Sequence, residues 1–423
     1  MKKRAYLLTC MLLIALLLAA CSNAGGSEQG NGGDGQAEQN VKISLLSWNN
    51  ETEMKPVLDG FKKKYPHITI DFQSAPPVKD YIAKLQTMLL SESATDIFII
   101  AAENRNEIID GGHALDLTDQ PFMDTMIESN KPMLSKNGKT YAFTQTGWVG
   151  GWYYNKDLFA KAGIEKLPET WDEFVAMCLK LKEAGITPLY DNMQDLTSMH
   201  SVLYGNMTLA SDPSFDDKIF AGEKTFSDGW TEVFKLWKKD LIDGGILTPD
   251  MIGLTGDQIE SEFTLGNVAM FFGGPWNISK LEATEGLNFG MMTVPGPNPG
   301  ENYYVGAPGV GFAVNSASRH QEEALQFIEY LSTEEGLQLF YEGTGALITA
   351  SNFEAKVHPA LQTAFDEGLM AGKVYLPMVA WPRHQEALRN QFVISTQDMA
   401  VGKITPEEAA AAIDKKFEEM ENK

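Results

Sequence analysis

The chain has 423 residues, with 43% hydrophobic and 22% charged content, which is ordinary for a soluble globular protein and long enough for two domains with full cores. Its formal charge of −23 repels phosphate backbones and argues against nucleic acid as a partner. The charge says little about the fold or about neutral ligands.

The first predicted element is a targeting segment. Lys2-Lys3-Arg4 forms a basic n-region, and residues 5–20 form an apolar run that is short for a membrane-spanning helix. The run ends in Leu18-Ala19-Ala20-Cys21, which resembles a bacterial lipoprotein cleavage box. Residues 1–20 therefore read as a lipoprotein signal peptide. Cys21 becomes the lipidated first residue, anchoring the chain on the extracytoplasmic face of the cell membrane. The alternative is an ordinary secretory signal with a chance cysteine. Of the three cysteines, Cys10 is lost with the signal and Cys21 is modified, so only Cys178 remains and no disulfide can form within the mature chain. Residues 21–40 are rich in glycine, lack apolar periodicity and read as a flexible tether.

Val41, Ile43 and Leu45 alternate as a strand. Met54, Val57, Leu58, Phe61 and Tyr65 recur at helical spacing, and residues 68–72 form a second strand. Tyr81, Ile82, Leu85, Met88 and Leu89 mark another helix, followed by an apolar strand at residues 97–100. Strands alternating with helices imply a parallel sheet in an α/β lobe. Binding sites in such sheets lie beyond the carboxyl ends of the strands. That rule singles out Trp48, Asn49 and Glu51 after the first strand, and Glu103 and Asn104 after the third.

Residues 141–188 follow. Glycines at 147, 150 and 151 lie among aromatics, a pattern suited to a chain that bends and presents flat rings to a cleft. Asn155-Lys156-Asp157 opens a short helix that Gly163 closes. Thr170 and Glu173 predict a capping box before a helix whose apolar face is Phe174, Cys178 and Leu181, ended by Gly185 and Pro188. This places Cys178 in a core, not among nucleophiles.

Residues 190–250 read as mainly helical, with Tyr190, Asp191 and Asn192 just past a strand end and Trp230, Phe234 and Trp237 at core spacing. A helix then ends at Gly266, a strand covers residues 268–272, and a Gly-Gly-Pro turn presents Trp276. After residues 303–314, Ala324, Phe327, Ile328 and Leu331 mark a helix and Leu337, Phe340 and Tyr341 the next, which ends at Gly343-Thr344-Gly345-Ala346; Trp381-Pro382-Arg383 is a loop before an alanine-rich closing helix.

Chemistry by motif is sparse. There is no GxSxG elbow, HExxH helix or Walker-type phosphate loop, and six scattered histidines offer no close pair for a metal. Tyr153 and Tyr154 are adjacent, so on a strand they face opposite sides and do not make a ferric site. Glu51, Glu103 and Asp191 are compatible with a glycosidase, but no feature specifies an acid/base pair. Aromatics are the stronger signal. Trp48, Trp148, Trp152, Trp276 and Trp381 all fall in predicted loops or crossings. A sugar ring stacks its C–H face on an aromatic while its hydroxyl rim seeks carboxylates, amides and arginine, a group that includes Arg383.

The string YNKDLFAKAGIEKLPETWDEFVAMCLKLKEAGITP resembles the signature of the family 1 extracellular solute-binding proteins. These are the sugar-capturing components of bacterial ABC importers, related to maltose-binding protein. FTLGNVAMFFGGPW resembles the same family's element before its stacking tryptophan. The resemblance implies an α/β, two-lobe periplasmic-binding-protein-like fold with three inter-lobe crossings and a ligand cleft between the lobes. The expected boundaries are 41–147 plus 310–347 for the first lobe and 148–309 plus 348–423 for the second.

The resemblance also implies a stacking role for Trp276 and Trp381 and a hydroxyl-accepting role for Glu103. Trp48, Asn49, Glu51 and Asp191 occupy loops whose contacts vary with ligand. The family's acidic contact in the first crossing has no counterpart in Gln145-Thr146-Gly147-Trp148, so a maltose-type glucan is not implied. The implied protein is a monomer with no enzymatic activity, cofactor or metal. It captures a sugar or oligosaccharide by hinge closure and delivers it to the transmembrane subunits of an ABC permease. A membrane-anchored glycoside-processing enzyme and a binder of iron, peptides or polyamines are the alternative readings.

Overall fold

The computed structural model describes residues 40–194, 199–300 and 302–422. The expected signal peptide, Cys21 and the tether as far as residue 39 lie outside the described residues. Among the described residues, thirteen strands organise the fold: β1 (Val41–Ser47), β2 (Ile68–Ser74), β3 (Ile97–Ile100), β4 (Ser135–Lys136), β5 (Lys139–Thr140), β6 (Thr146–Asn155), β7 (Thr187–Tyr190), β8 (Val268–Gly273), β9 (Phe289–Met292), β10 (Tyr304–Pro308), β11 (Gly311–Val314), β12 (Leu347–Ile348) and β13 (Val374–Tyr375).

The first sheet has the order β11-β3-β1-β2. β1 runs parallel to both β2 and β3, as expected from helices intervening between strands, and β11 closes the edge antiparallel to β3. Helix Glu51–Lys64 starts where Asn50 accepts from Glu53 N and the Glu53 carboxylate accepts from Asn50 N, satisfying two end groups reciprocally. It buries Met54, Val57 and Phe61 against the sheet side. The apolar core built here draws on residues 43–143 and 312–350.

The second sheet has the order β13-β10-β6-β8-β7, with β12 and β9 also pairing with β6. Its core draws on residues 152–305 and 375–413. Trp230, Phe234 and Trp237 are buried there, and Tyr204 stacks flat on Trp230 with ring centroids 4.0 Å apart. Cys178 is buried in the same core, and burial pushes its thiol pKa up. The helix carrying it, Trp171–Glu183, departs from the expected capping box. Thr170 Oγ1 accepts from Glu173 N at 3.3 Å, but the Glu173 carboxylate reaches past the cap to Glu169 N at 2.7 Å.

Asp216 is a buried carboxyl in this core, accepting from the hydroxyls of Tyr204 at 2.6 Å and Tyr375 at 2.7 Å. Burial raises its pKa to about 6, with the two hydroxyls acting in the opposite sense. Tyr375 is thereby fixed at the end of β13, which matters for the segment after it.

Three passages connect the two cores, and they lie side by side. Phe143 and Phe312 exchange backbone hydrogen bonds at 2.9 and 2.8 Å. Gly309 N donates to Thr146 O and Thr349 N donates to Gln145 O, each at 2.8 Å. A side chain at 309 is forbidden, because its Cβ would lie 2.0 Å from Thr146 Oγ1. The buried Asn130 amide donates to Thr349 Oγ1 at 2.9 Å and to Thr146 O at 3.4 Å, tying two of the passages together.

Candidate functional site

The cleft side of the structure is built from strand ends. Beyond β1 and β3, Trp48, Asn49 and Glu103 line a cavity of about 430 Å³. Its other walls come from Thr146, Gly147 and Trp148 on β6, residues 307–310 on the return passage, Phe340 and Thr344 near a helix end, and Leu376, Met378 and Val379. Trp48 is half-buried and braced edge-on by Tyr81 at 5.5 Å. Tyr81 in turn donates to Ile99 O at 2.6 Å, so the brace is tied to β3. Asn49 is held by Ser47 and Glu53, its amide donating to Glu53 at 3.1 Å. Glu103 is exposed at the cavity.

Trp276 sits on the turn that ends β8. Gly273 and Gly274 are needed there for space. A Cβ on Gly273 would lie 2.4 Å from Asn277 Oδ1, and one on Gly274 would lie 2.4 Å from the Trp276 ring. Asn277 Oδ1 accepts from Gly274 N at 2.9 Å, and the Tyr153 hydroxyl donates to Gly274 O at 2.8 Å. Glu260 fixes the far side, accepting from Asn277 at 2.8 Å and from Lys280 at 2.5 Å. The indole therefore lies over a rigid backbone turn while remaining 60% exposed. Its edge meets Trp148 with centroids 5.6 Å apart, so it adjoins the cavity that Trp148 lines. On its other side, Trp276 lines a cavity of about 450 Å³ with Tyr190, Asp191, Asn192, Asp257 and Lys280. The Asp191 carboxylate accepts from Met193 N at 2.8 Å, which sets the turn after β7.

Five expected contacts stand elsewhere. Trp381 is 0% exposed, packed against Phe226, Phe392 and Phe220, so the core takes its side chain and the cleft takes its neighbours Met378 and Val379. Trp152 is 1% exposed beneath Phe272. It shares a face of β6 with Trp148, but four residues of strand carry it roughly 13 Å further on, into the core. Asn104 is buried and serves the backbone, accepting from Ala101 N at 2.8 Å. Arg383 pairs with Glu421 at 2.7 Å, donates to Phe220 O at 2.9 Å and lies over Phe220 and Phe417, away from the cleft cavity. Glu51 is an exposed first-turn residue of its helix and lines none of the cavities described here.

Residues that sequence reasoning did not single out also shape the cleft. Phe340 read only as helix core, and Met378 carried no signal. Arg105, buried two residues after Glu103 and bonded to the segment behind Met378, carried no signal either. Burial lowers its pKa, and the charge of Glu103 opposes that effect. Among the described residues, no group of three or more His, Cys, Asp or Glu is placed to hold a metal ion, and no helix is long and apolar enough to cross a membrane.

Two α/β lobes, three side-by-side passages and a cleft at the strand ends define a two-lobed solute-binding fold. The family model for bacterial extracellular solute-binding proteins matches residues 48–338. The chain belongs to that family. It is 31% identical to a family 1 extracellular solute-binding protein from Bifidobacterium longum subsp. infantis, whose solved structure superposes with a TM-score of 0.82 over 90% of this chain and 100% of that one. A multiple sugar-binding protein of Streptococcus mutans is 23% identical over 376 residues, covering 85% of this chain and 86% of the relative. The maltodextrin-binding protein of Bacillus subtilis is 24% identical over 360 residues, covering 81% and 79%.

The placement of the tryptophans is testable without any ligand. Trp276→Ala should leave the unfolding free energy nearly unchanged, because the indole is already largely in water. Trp152→Ala and Trp381→Ala should each cost about 3–5 kcal/mol in urea unfolding, the usual loss for a buried tryptophan. Equal losses for all three would overturn the division into cleft and core.

Proposed function

We propose that the chain is the extracytoplasmic substrate-binding lipoprotein of an ABC importer. It captures a sugar or oligosaccharide between its lobes and delivers it to a membrane permease. The observation that carries this reading is Trp276, a well-anchored indole left exposed beside a cavity that Glu103 and Asn49 also line. An apolar platform with a few placed acceptors suits a ligand with C–H faces and a hydroxyl rim. The sugar-binding relatives support the same class. The ligand favours closure because it touches both lobes at once. Carboxylates here act as hydrogen-bond acceptors, and the protein works as a monomer without enzymatic turnover.

A thermal-shift screen over mono-, di- and oligosaccharides, with iron, peptides and polyamines as controls, tests the ligand class. A saccharide should raise the melting temperature and be recovered intact. A shift with only a non-saccharide, or a cleaved sugar, would contradict the reading. For the saccharide that binds, stacking covers about half of the roughly 150–250 Å² an aromatic buries, worth about 2–3 kcal/mol at roughly 25 cal/mol per Å². Trp276→Ala should therefore weaken binding about 30- to 150-fold in calorimetric titration.

The anchor is a separate part of the proposal, motivated by the Leu18-Ala19-Ala20-Cys21 box. Cell fractionation of Cys21→Ala should find the protein released from the membrane or left unprocessed. A variant processed and retained on washed membranes like the parent would exclude lipidation at Cys21.

A further inference from the structure

Residues 376–382 form a partition. On one side lies the cleft cavity of about 430 Å³ and on the other a cavity of about 670 Å³, and Leu376 and Val379 line both. The segment, which includes the one-turn helix Pro377–Ala380, is rooted in the second lobe at both ends. Before it, Tyr375 is held by Asp216, and within it the Trp381 ring is buried in the second core. After it, Arg383 is paired with Glu421.

The middle of the segment is nevertheless bonded to the first lobe. Arg105 begins helix Arg105–Asp110 and donates from Nη1 to Val379 O at 2.6 Å and from Nη2 to Trp381 O at 2.5 Å. Asn106 donates to Pro382 O at 2.5 Å. The Val379 side chain packs against the first core. All three acceptors are backbone carbonyls, so the bonds fix where the segment lies whatever its side chains are. A guanidinium that spans two carbonyls sets direction as well as distance, which a lysine ammonium does not.

We propose that Arg105, assisted by Asn106, clamps this segment to the first lobe and is a positioning residue for ligand binding. It acts through the cleft wall made by Leu376, Met378 and Val379, and never touches ligand itself. The inference rests on the cleft being the ligand site. With the clamp intact, the wall made by Leu376, Met378 and Val379 is ordered before ligand arrives. Without it, two carbonyls lose charged donors and the partition loosens, so the ligand must order the wall on binding.

Hydrogen exchange on the ligand-free protein tests the clamp directly. The amides of Val379, Ala380 and Trp381 bond only to Leu376 and Pro377 within the segment itself, so their protection depends on what holds it. In Arg105→Ala these three amides should exchange faster while those of β1 and β8 stay unchanged, which separates clamp loss from general destabilisation. Arg105→Lys should restore part of the protection, and Asn106→Ala should give a smaller effect of the same direction.

With maltotriose and raffinose as probes, Arg105→Ala should bind roughly tenfold more weakly than the parent, a difference of about 1.4 kcal/mol. Unchanged exchange in the folded variant, or binding as tight as the parent's or tighter, would overturn the proposal. Should Arg105→Ala fail to fold, unchanged exchange at Trp381 in Asn106→Ala overturns it equally. If no saccharide of the thermal-shift screen stabilises the parent, the carbohydrate reading fails, while the exchange result still decides the clamp.

Discussion

The three passages between the cores have buried backbone groups that need partners, and they supply them to one another. Phe143 with Phe312, Gly309 with Thr146 and Thr349 with Gln145 form a narrow strip of sheet where a two-lobed chain would otherwise need loops. Such a strip satisfies the backbone groups of all three passages with one another. It also fixes where the cleft lies. β6 leaves the strip as a ten-residue strand, so Trp148 near its start faces the cleft while Trp152 further along is already interior. The close approach at Gly309 shows how little slack the strip has.

Around that strip the cleft is furnished by small, well-bonded turns. The Trp276 turn is held by Tyr153 from β6, by Asn277 from its own end and by Glu260 from helix Gly256–Thr264. An exposed indole contributes little to folding by itself. The polar network beneath it holds the turn that carries it. Trp48 on the other sheet has the same design in simpler form, braced edge-on by a tyrosine that is bonded into β3. Beside each sheet, then, an aromatic side chain at the strand ends has its surroundings set by hydrogen bonds already made.

Much of this was legible in the sequence, for identifiable reasons. Apolar periodicity located the strands and helices of the first sheet, because one buried face dictates every second or every third-to-fourth residue. The Gly-Gly-Pro turn pointed to an exposed Trp276, since glycines give the room a tight turn needs and a proline ends the strand before it. Loop tryptophans without periodicity carried no such information. Trp381 lies in an irregular segment yet points into a core of Phe226 and Phe392, and Trp381 and Trp276 look alike in one dimension. Asn104 illustrates a second limit: a side chain placed at a strand end can be consumed by the backbone it follows. The Arg105 contacts illustrate a third. They join residues more than 270 positions apart through main-chain carbonyls, which no side-chain pattern records.

The central claim is that ligand closes two lobes about this strip of sheet. Small-angle scattering on the purified protein, with and without a saturating saccharide identified by thermal shift, tests it most directly. The account predicts a smaller radius of gyration with ligand than without, with no change in molecular mass. An unchanged radius at full occupancy would contradict closure and leave a cleft that binds without moving.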